Sequence, residues 1–96
     1  DALRSLSFDV AFICCSAVDV KNRSISDASE AYSKVQKEVL KSARTKFVVA
    51  DSSKFKTSAF MRTATFAEIT GIITNKEARE EDQAAMRRSK IEVVLA

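Results

Sequence analysis

The chain has 96 residues, 46% of them apolar, enough for one domain with its own core and too few for two. Sixteen Lys and Arg against 13 Asp and Glu leave a net charge of +3, with both signs interspersed, too weak a bias to argue for nucleic-acid or membrane binding. The absence of His removes the commonest general base and metal ligand, and one Gly with no Pro excludes a Gly-rich phosphate loop of either common type.

In chain order, Asp1 to Leu6 hold at most a short helix, with Ala2, Leu3 and Leu6 on one side, that leads straight into an apolar run. That run, Val10 to Cys15, has the length and continuity of a strand buried on both faces and is expected to be central. A central strand so close to the start predicts further sequence upstream, so residues 1–96 are read as a single domain that is incomplete on its N-terminal side. Cys14 and Cys15 are the only cysteines. As neighbours in a strand they point to opposite faces, which makes a disulfide between them awkward, and they are read as reduced core residues.

A helix is predicted over 28–43, because Ala28, Ala31, Tyr32, Val35, Val39, Leu40 and Ala43 recur at helical spacing. Asp27 and Glu30 stand at capping-box spacing at its start. Phe47 to Ala50 form a second apolar strand, Phe60 to Phe66 an extended edge or connecting segment, and Ile72 to Thr74 a third β-branched strand. A second helix is predicted over 76–89, where Thr74 and Glu77 repeat the capping-box spacing and the acids Glu77, Glu80, Glu81 and Asp82 precede Arg87, Arg88 and Lys90. Ile91 to Ala96 close the chain as a strand. Strands alternating with helices predict the α/β class, with a mainly parallel sheet and flanking helices. No apolar run approaches the roughly 20 residues of a membrane helix and no signal peptide is visible, so a cytoplasmic protein without membrane contact is expected.

Open parallel sheets bind ligands beyond the carboxyl ends of their strands, which directs attention to Ser16-Ala17-Val18-Asp19 and to Asp51-Ser52-Ser53-Lys54. The second segment joins hydroxyls and backbone donors to a cation able to meet a phosphate. On its own it reads equally well as a polar turn with a solvated lysine. Glu30 and Lys34 stand four apart on the predicted helix, the spacing of an ordinary surface ion pair. The acids from Glu77 to Asp82 read as a solvated helix face, and no metal site, cofactor or catalytic residue is predicted.

Taken together, these segments resemble the C-terminal effector-sensing domain of DeoR-family transcriptional regulators. The resemblance extends over essentially all 96 residues. It rests on Phe8-Asp9-Val10-Ala11-Phe12-Ile13 leading to Ser16-Ala17-Val18-Asp19, on Glu30-Ala31-Tyr32-Ser33-Lys34 with Ser42-Ala43, and on Val49-Ala50-Asp51-Ser52-Ser53-Lys54-Phe55. Ile69, Ile72-Ile73-Thr74 and Ile91-Glu92-Val93-Val94 follow at similar intervals. That family is similar in fold to ribose-phosphate isomerase, glucosamine-phosphate deaminase and CoA transferases, which implies a Rossmann-like domain with a sugar-phosphate pocket.

The resemblance implies that Lys54 contacts the phosphate with help from Ser53 and nearby backbone N–H groups, and that Asp19 and Glu30 accept hydrogen bonds from sugar hydroxyls. Lys34 would orient Glu30 or reach the ligand, and Ser16 and Asp51 complete the effector-binding set. It implies a regulator of sugar metabolism, usually a repressor, that contacts DNA only through an N-terminal winged helix-turn-helix absent from these residues. The family's upstream Gly/Thr phosphate loop is absent as well. So are its usual glycines near Ala17, in the turn around Lys21 to Ser24, and at Lys56. A sugar-phosphate isomerase-like enzyme is the alternative, with Asp19 and Glu30 as acid and base and Lys54 as phosphate anchor. It is disfavoured because those isomerases carry a denser acidic cluster after the first strand. Four apolar strands with only two helices to cover them also predict a homo-oligomer.

Overall fold

The computed structural model describes residues 8–56 and 59–96, and the short helix predicted over Asp1 to Leu6 lies outside them. The elements run β1 (Phe8–Cys14), β2 (Ala17–Asp19), β3 (Ser24–Asp27), α1 (Glu30–Ser42), β4 (Ala43–Val49), a 3-10 turn (Ser52–Lys56), β5 (Met61–Thr65), a second 3-10 turn (Phe66–Glu68), β6 (Gly71–Thr74), α2 (Glu80–Arg88) and β7 (Glu92–Leu95). The four apolar segments read as strands pair side by side, all parallel, in the order β1-β4-β6-β7. The α/β class with a parallel sheet and two flanking helices is therefore the observed one.

The register sorts the side chains of this sheet into two faces. Ile13, Val48, Ile72 and Val93 lie in one row across the four strands. That row belongs to the core, packed with Leu40 of α1, Met86 of α2, and Val18, Ile25, Ala64 and Phe66 from the region of the smaller sheet. The opposite face carries Phe12, Phe47, Gly71 and Glu92 in one row and Cys14, Val49, Ile73 and Val94 in the next. Phe12 and Phe47 stack there, ring centroids 6.1 Å apart. Val10, Phe12, Val49 and Val94 are exposed. Nothing among the described residues covers this face.

Several expectations are corrected. Among the described residues β1 stands at an edge of the parallel sheet, paired with β4 and not central. Cys14 is exposed on the bare face while Cys15 is buried, so only one of the two is a core residue. The sequence reading also missed a second, antiparallel sheet in the order β2-β3-β5. In it the segment read as an edge or connecting strand, β5, occupies an edge.

Helix α1 starts two residues later than predicted. Its N-cap is Ser29, whose hydroxyl accepts from Tyr32 N (3.2 Å), and Asp27 is instead a buried strand residue. The helix is also rotated from the expected face. Ala31, Tyr32 and Val35 point to solvent, while Ser33, Gln36 and Leu40 face inward. Two polar side chains can be buried there because each finds a distant partner: Ser33 Oγ lies 2.9 Å from Thr63 Oγ1, and Gln36 Nε2 donates to Cys14 O at 2.7 Å. α2 likewise begins at Glu80, four residues after the predicted start. Thr74 is taken up by β6, and the Glu77 carboxylate accepts from Asn75 Nδ2 (3.0 Å). The predicted charge order holds, with Glu80, Glu81 and Asp82 in its first turn and Arg87 and Arg88 in its last.

The turn joining β2 to β3 places Arg23 at φ 55°, in the left-handed region. This is the turn where the family resemblance calls for a glycine. A side chain there costs about 1–2 kcal/mol, against roughly 0.5–1 kcal/mol for the extra chain entropy of glycine. Arg23→Gly is thus expected to stabilise the domain by about 0.5–1 kcal/mol in denaturant unfolding. An unchanged or lower midpoint would show that the turn is not strained.

Candidate functional site

The carboxyl ends of β1, β4 and β6 lie side by side, so the first residues beyond them form one edge of the molecule. β1 delivers Cys15 and Ser16, β4 delivers Ala50 to Lys54, and β6 delivers Asn75. The β4–β6 ladder extends one step further through Ala50 N donating to Ile73 O (3.0 Å). β2 packs against the 3-10 turn Ser52–Lys56, which brings the Ser16 and Lys54 segments together.

Each segment is held by its own hydrogen bonds. Asp51 Oδ1 accepts from Ser53 N (2.9 Å) and from Ser53 Oγ, and Lys54 N donates to Asp51 O (3.0 Å). These bonds shape the turn without using the Lys54 ammonium. They also hold the Asp51 carboxyl below its ordinary value, chiefly through Ser53 and secondarily through the charge of Lys54. Asn75 fastens the turn to β6: its Oδ1 accepts from Ser52 N (2.6 Å) and its Nδ2 donates to Ser52 Oγ (3.1 Å). Ser52 falls within the segment the sequence pointed to, without a role of its own, and Asn75 was not singled out. The signal available for Asn75 was its place directly after a parallel strand.

Ser16 is fixed from the other side. Its N–H is shared between Ser26 O (3.0 Å) and Asp27 Oδ1 (3.2 Å), and its Oγ accepts from Ala28 N (3.3 Å). Asp27 is almost wholly buried, at 1% exposure, and its other oxygen accepts from Thr63 Oγ1 at 2.5 Å. The chain Ser16–Asp27–Thr63–Ser33 thus ties the end of β1 to the smaller sheet and to α1. Burial, followed by the Asp27 charge, pushes the Cys15 thiol up to about 12, partly opposed by Lys54. Burial thus disfavours the reactive thiolate at Cys15.

The remaining predicted residues are placed differently. Asp19 closes the β2–β3 turn, Oδ1 accepting from Asn22 N (3.0 Å) and Oδ2 from Asn22 Nδ2 (2.8 Å). Those two bonds hold its carboxyl below the ordinary value. Glu30 and Lys34 form an exposed ion pair, Nζ to Oε1 3.5 Å, on the first turns of α1. The strand ends therefore unite Ser16, Asp51, Ser53 and Lys54, while Asp19 serves a turn and Glu30 and Lys34 stand on the adjoining helix start. A cleft of about 480 Å³ opens beside the 3-10 turn, lined by Ser52, Phe55, Glu77, Arg79 and Asp82. Among the described residues no three His, Cys, Asp or Glu side chains gather as a metal site, and no helix is long and apolar enough to cross a membrane.

The arrangement sets one cation, Lys54, beside the hydroxyl-bearing Ser16 and Ser53 at the edge where parallel sheets bind their ligands, while the N–H groups of Ser16, Ser52, Ser53 and Lys54 are bonded within the protein. Comparison with known families matches residues 1–76 to the DeoR C terminal sensor domain, a span that stops short of α2 and β7.

Proposed function

The chain belongs to the family of DeoR C-terminal sensor domains, and from that premise we propose that it binds a phosphorylated sugar at the carboxyl edge of its parallel sheet and relays occupancy to a separate DNA-binding domain. The observation that carries this reading is the 3-10 turn after β4, which sets Lys54 beside the Ser16 segment on the ligand-binding edge. Lys54 anchors the phosphate as a point charge, and the Ser53 hydroxyl joins it by exchanging its bond to Asp51 for one to the phosphate. Asp51 shapes the turn that presents them. Ser16 faces the ligand from the end of β1, with Asp27 beneath it as a positioning residue. Glu30, with its partner Lys34, is exposed enough to turn toward sugar hydroxyls. Asp19 has both carboxylate oxygens engaged and contributes only through the turn it closes.

In this reading the protein is a cytoplasmic regulator of carbohydrate metabolism, of a kind that is usually a repressor, rather than an enzyme, with its DNA contacts made outside these 96 residues. A ligand that binds only the folded state raises apparent stability, by about 2.7 kcal/mol at a hundredfold excess over Kd. A thermal-shift screen of the full-length regulator should therefore show stabilisation by particular sugar phosphates and none by the matching free sugars. Equal shifts with the free sugars would refute a phosphate-anchored site.

The same proposal includes self-association. The bare face joins Val10, Phe12, Val49 and Val94 with the Phe12–Phe47 stack, and its two central rows hold one charge, Glu92. Two copies could bury such a face without opposing like charges, as symmetric dimers do. Light scattering at tens of micromolar is expected to give a dimer or larger assembly, and Phe12→Asp to give a monomer. A clean monomer from the parent chain would overturn the expectation.

A further inference from the structure

A groove of about 580 Å³ lies between the C-terminal half of α1 and β5, floored by Leu40 and Ala64 and flanked by Lys37, Lys41, Lys46 and Arg62. It lies away from the strand-end site. Lys46 N donates to Thr70 Oγ1 (2.8 Å) and Thr70 N to Lys46 O (2.7 Å), so the groove is level with the segment that precedes β6, near the strand starts.

Its charges are unbalanced. Lys41 makes only a loose contact with Glu38, 3.9 Å, and Lys37, Lys46 and Arg62 have no carboxylate at ion-pair distance among the described residues. Arg62 acts on Asp19 electrostatically, but both oxygens of that carboxylate are held by Asn22. Among the described residues one acid lines the groove, Glu68, and its Oε1 is turned to Thr65, accepting from N (2.9 Å) and Oγ1 (3.2 Å). The negative end of the α1 dipole accounts for Lys41, in the last turn of the helix. It does not account for Lys46 and Arg62, which come from β4 and β5. Lys46 is half-buried on the inner face of the sheet, its register that of Ala11 and Val48, so its stem packs inward while its head lines the groove.

Cations drawn from three separate elements spread along a groove suit an extended anion better than a single phosphate. The volume falls within the range of about 300–1,000 Å³ typical of small-molecule sites. Among the described residues no aromatic ring lines it to stack on a base. We propose that this groove is a second anion site that takes the condensed di- or triphosphate group of a small metabolite, independently of the strand-end site.

Inorganic pyrophosphate titrated into this chain by calorimetry at physiological salt tests it. A site is expected that binds pyrophosphate about tenfold more tightly than orthophosphate and that loses about tenfold in Arg62→Ala or Lys46→Ala. Arg62 is exposed, so its variant stays informative if Lys46→Ala fails to fold. Arg44→Ala, an exposed cation on β4 outside the groove, is expected to stay within about twofold of the parent, as detached surface charges do. Four results would overturn the proposal. They are equal affinity for orthophosphate, an equal loss in Arg44→Ala, a loss in Lys54→Ala in place of Arg62→Ala, and displacement of pyrophosphate by an equimolar short DNA duplex.

Discussion

Gly71→Ala is expected to destabilise this domain by about 3 kcal/mol or more, with a fall in Tm of roughly 12–24 °C for a domain of this size. Gly71 is the only glycine in the chain and opens β6, between β4 and β7. Its backbone is not in the left-handed region, so conformational freedom is not the reason for a glycine here. Space is. A Cβ at this position would lie 2.5 Å from the Glu92 carbonyl oxygen, 2.8 Å from Glu92 Cβ and 3.0 Å from the Phe47 ring. The ring can turn aside, but the carbonyl belongs to the neighbouring strand and can yield only if β7 shifts.

The sign of this effect is informative, because Gly→Ala at a site with room stabilises by about 0.4–1 kcal/mol through the unfolded chain. Set against a total stability on the order of 5–14 kcal/mol, the expected loss is a large fraction. Phe47→Leu added to Gly71→Ala should not restore stability, since the backbone contact with Glu92 remains. Urea unfolding of the three variants measures this. A Gly71→Ala midpoint at or above the parent's would mean that β6 and β7 do not approach as closely as described.

The parallel sheet was legible in the sequence because its strands are apolar on both faces. Val10, Phe12, Val49 and Val94 are hydrophobic although solvent reaches them, so the runs read as continuous. That same feature hid the edge position of β1: apolarity on two faces signals burial by something, without saying where in the sheet the strand stands. The second sheet was illegible for the opposite reason. β3, Ser24-Ile25-Ser26-Asp27, is wholly buried yet three-quarters polar. Its side chains are satisfied by Ala59 N donating to Ser26 Oγ (2.8 Å) and by Thr63 Oγ1 donating to Asp27, groups more than 30 residues away. Local pattern carries no trace of such partners. Helix α1 shows the limit most clearly, since its apolar spacing marks a helix while Thr63 and the Cys14 carbonyl decide which side faces in. At the candidate site, the strand-end rule was enough to point to the segments of Ser16, Asp51, Ser53 and Lys54, which the fold brings to one edge. It did not reveal that Asp27 and Asn75 hold those segments in place, because both act through contacts between strands.

Lys54→Ala is expected to weaken the response of the full-length regulator to its sugar phosphate by about ten- to a hundredfold. Loss of one charge-assisted hydrogen bond corresponds to about 1.5–3 kcal/mol. The fold should survive the change, because the turn is closed by Ser53 N, Ser53 Oγ and Lys54 N on Asp51 and by Asn75 on Ser52, none of which involves the Lys54 side chain. A merely solvated turn lysine predicts a stability change within about 0.5 kcal/mol and no change in effector response. Unaltered stability alone therefore does not discriminate, and the ligand titration does. Lys54→Arg should recover part of the affinity, since it restores charge at a different reach. Glu30→Gln is the contrasting variant. It breaks an exposed ion pair worth at most a few tenths of a kcal/mol, so any larger effect on discrimination between sugars reports contact with hydroxyls. Titrating each variant with the sugar phosphate and with the free sugar separates the two roles: Lys54→Ala should erase the advantage of the phosphorylated form, and Glu30→Gln should leave it intact. A Lys54→Ala protein that responds like its parent would remove Lys54 from the site and shift the phosphate contact to residues outside this chain.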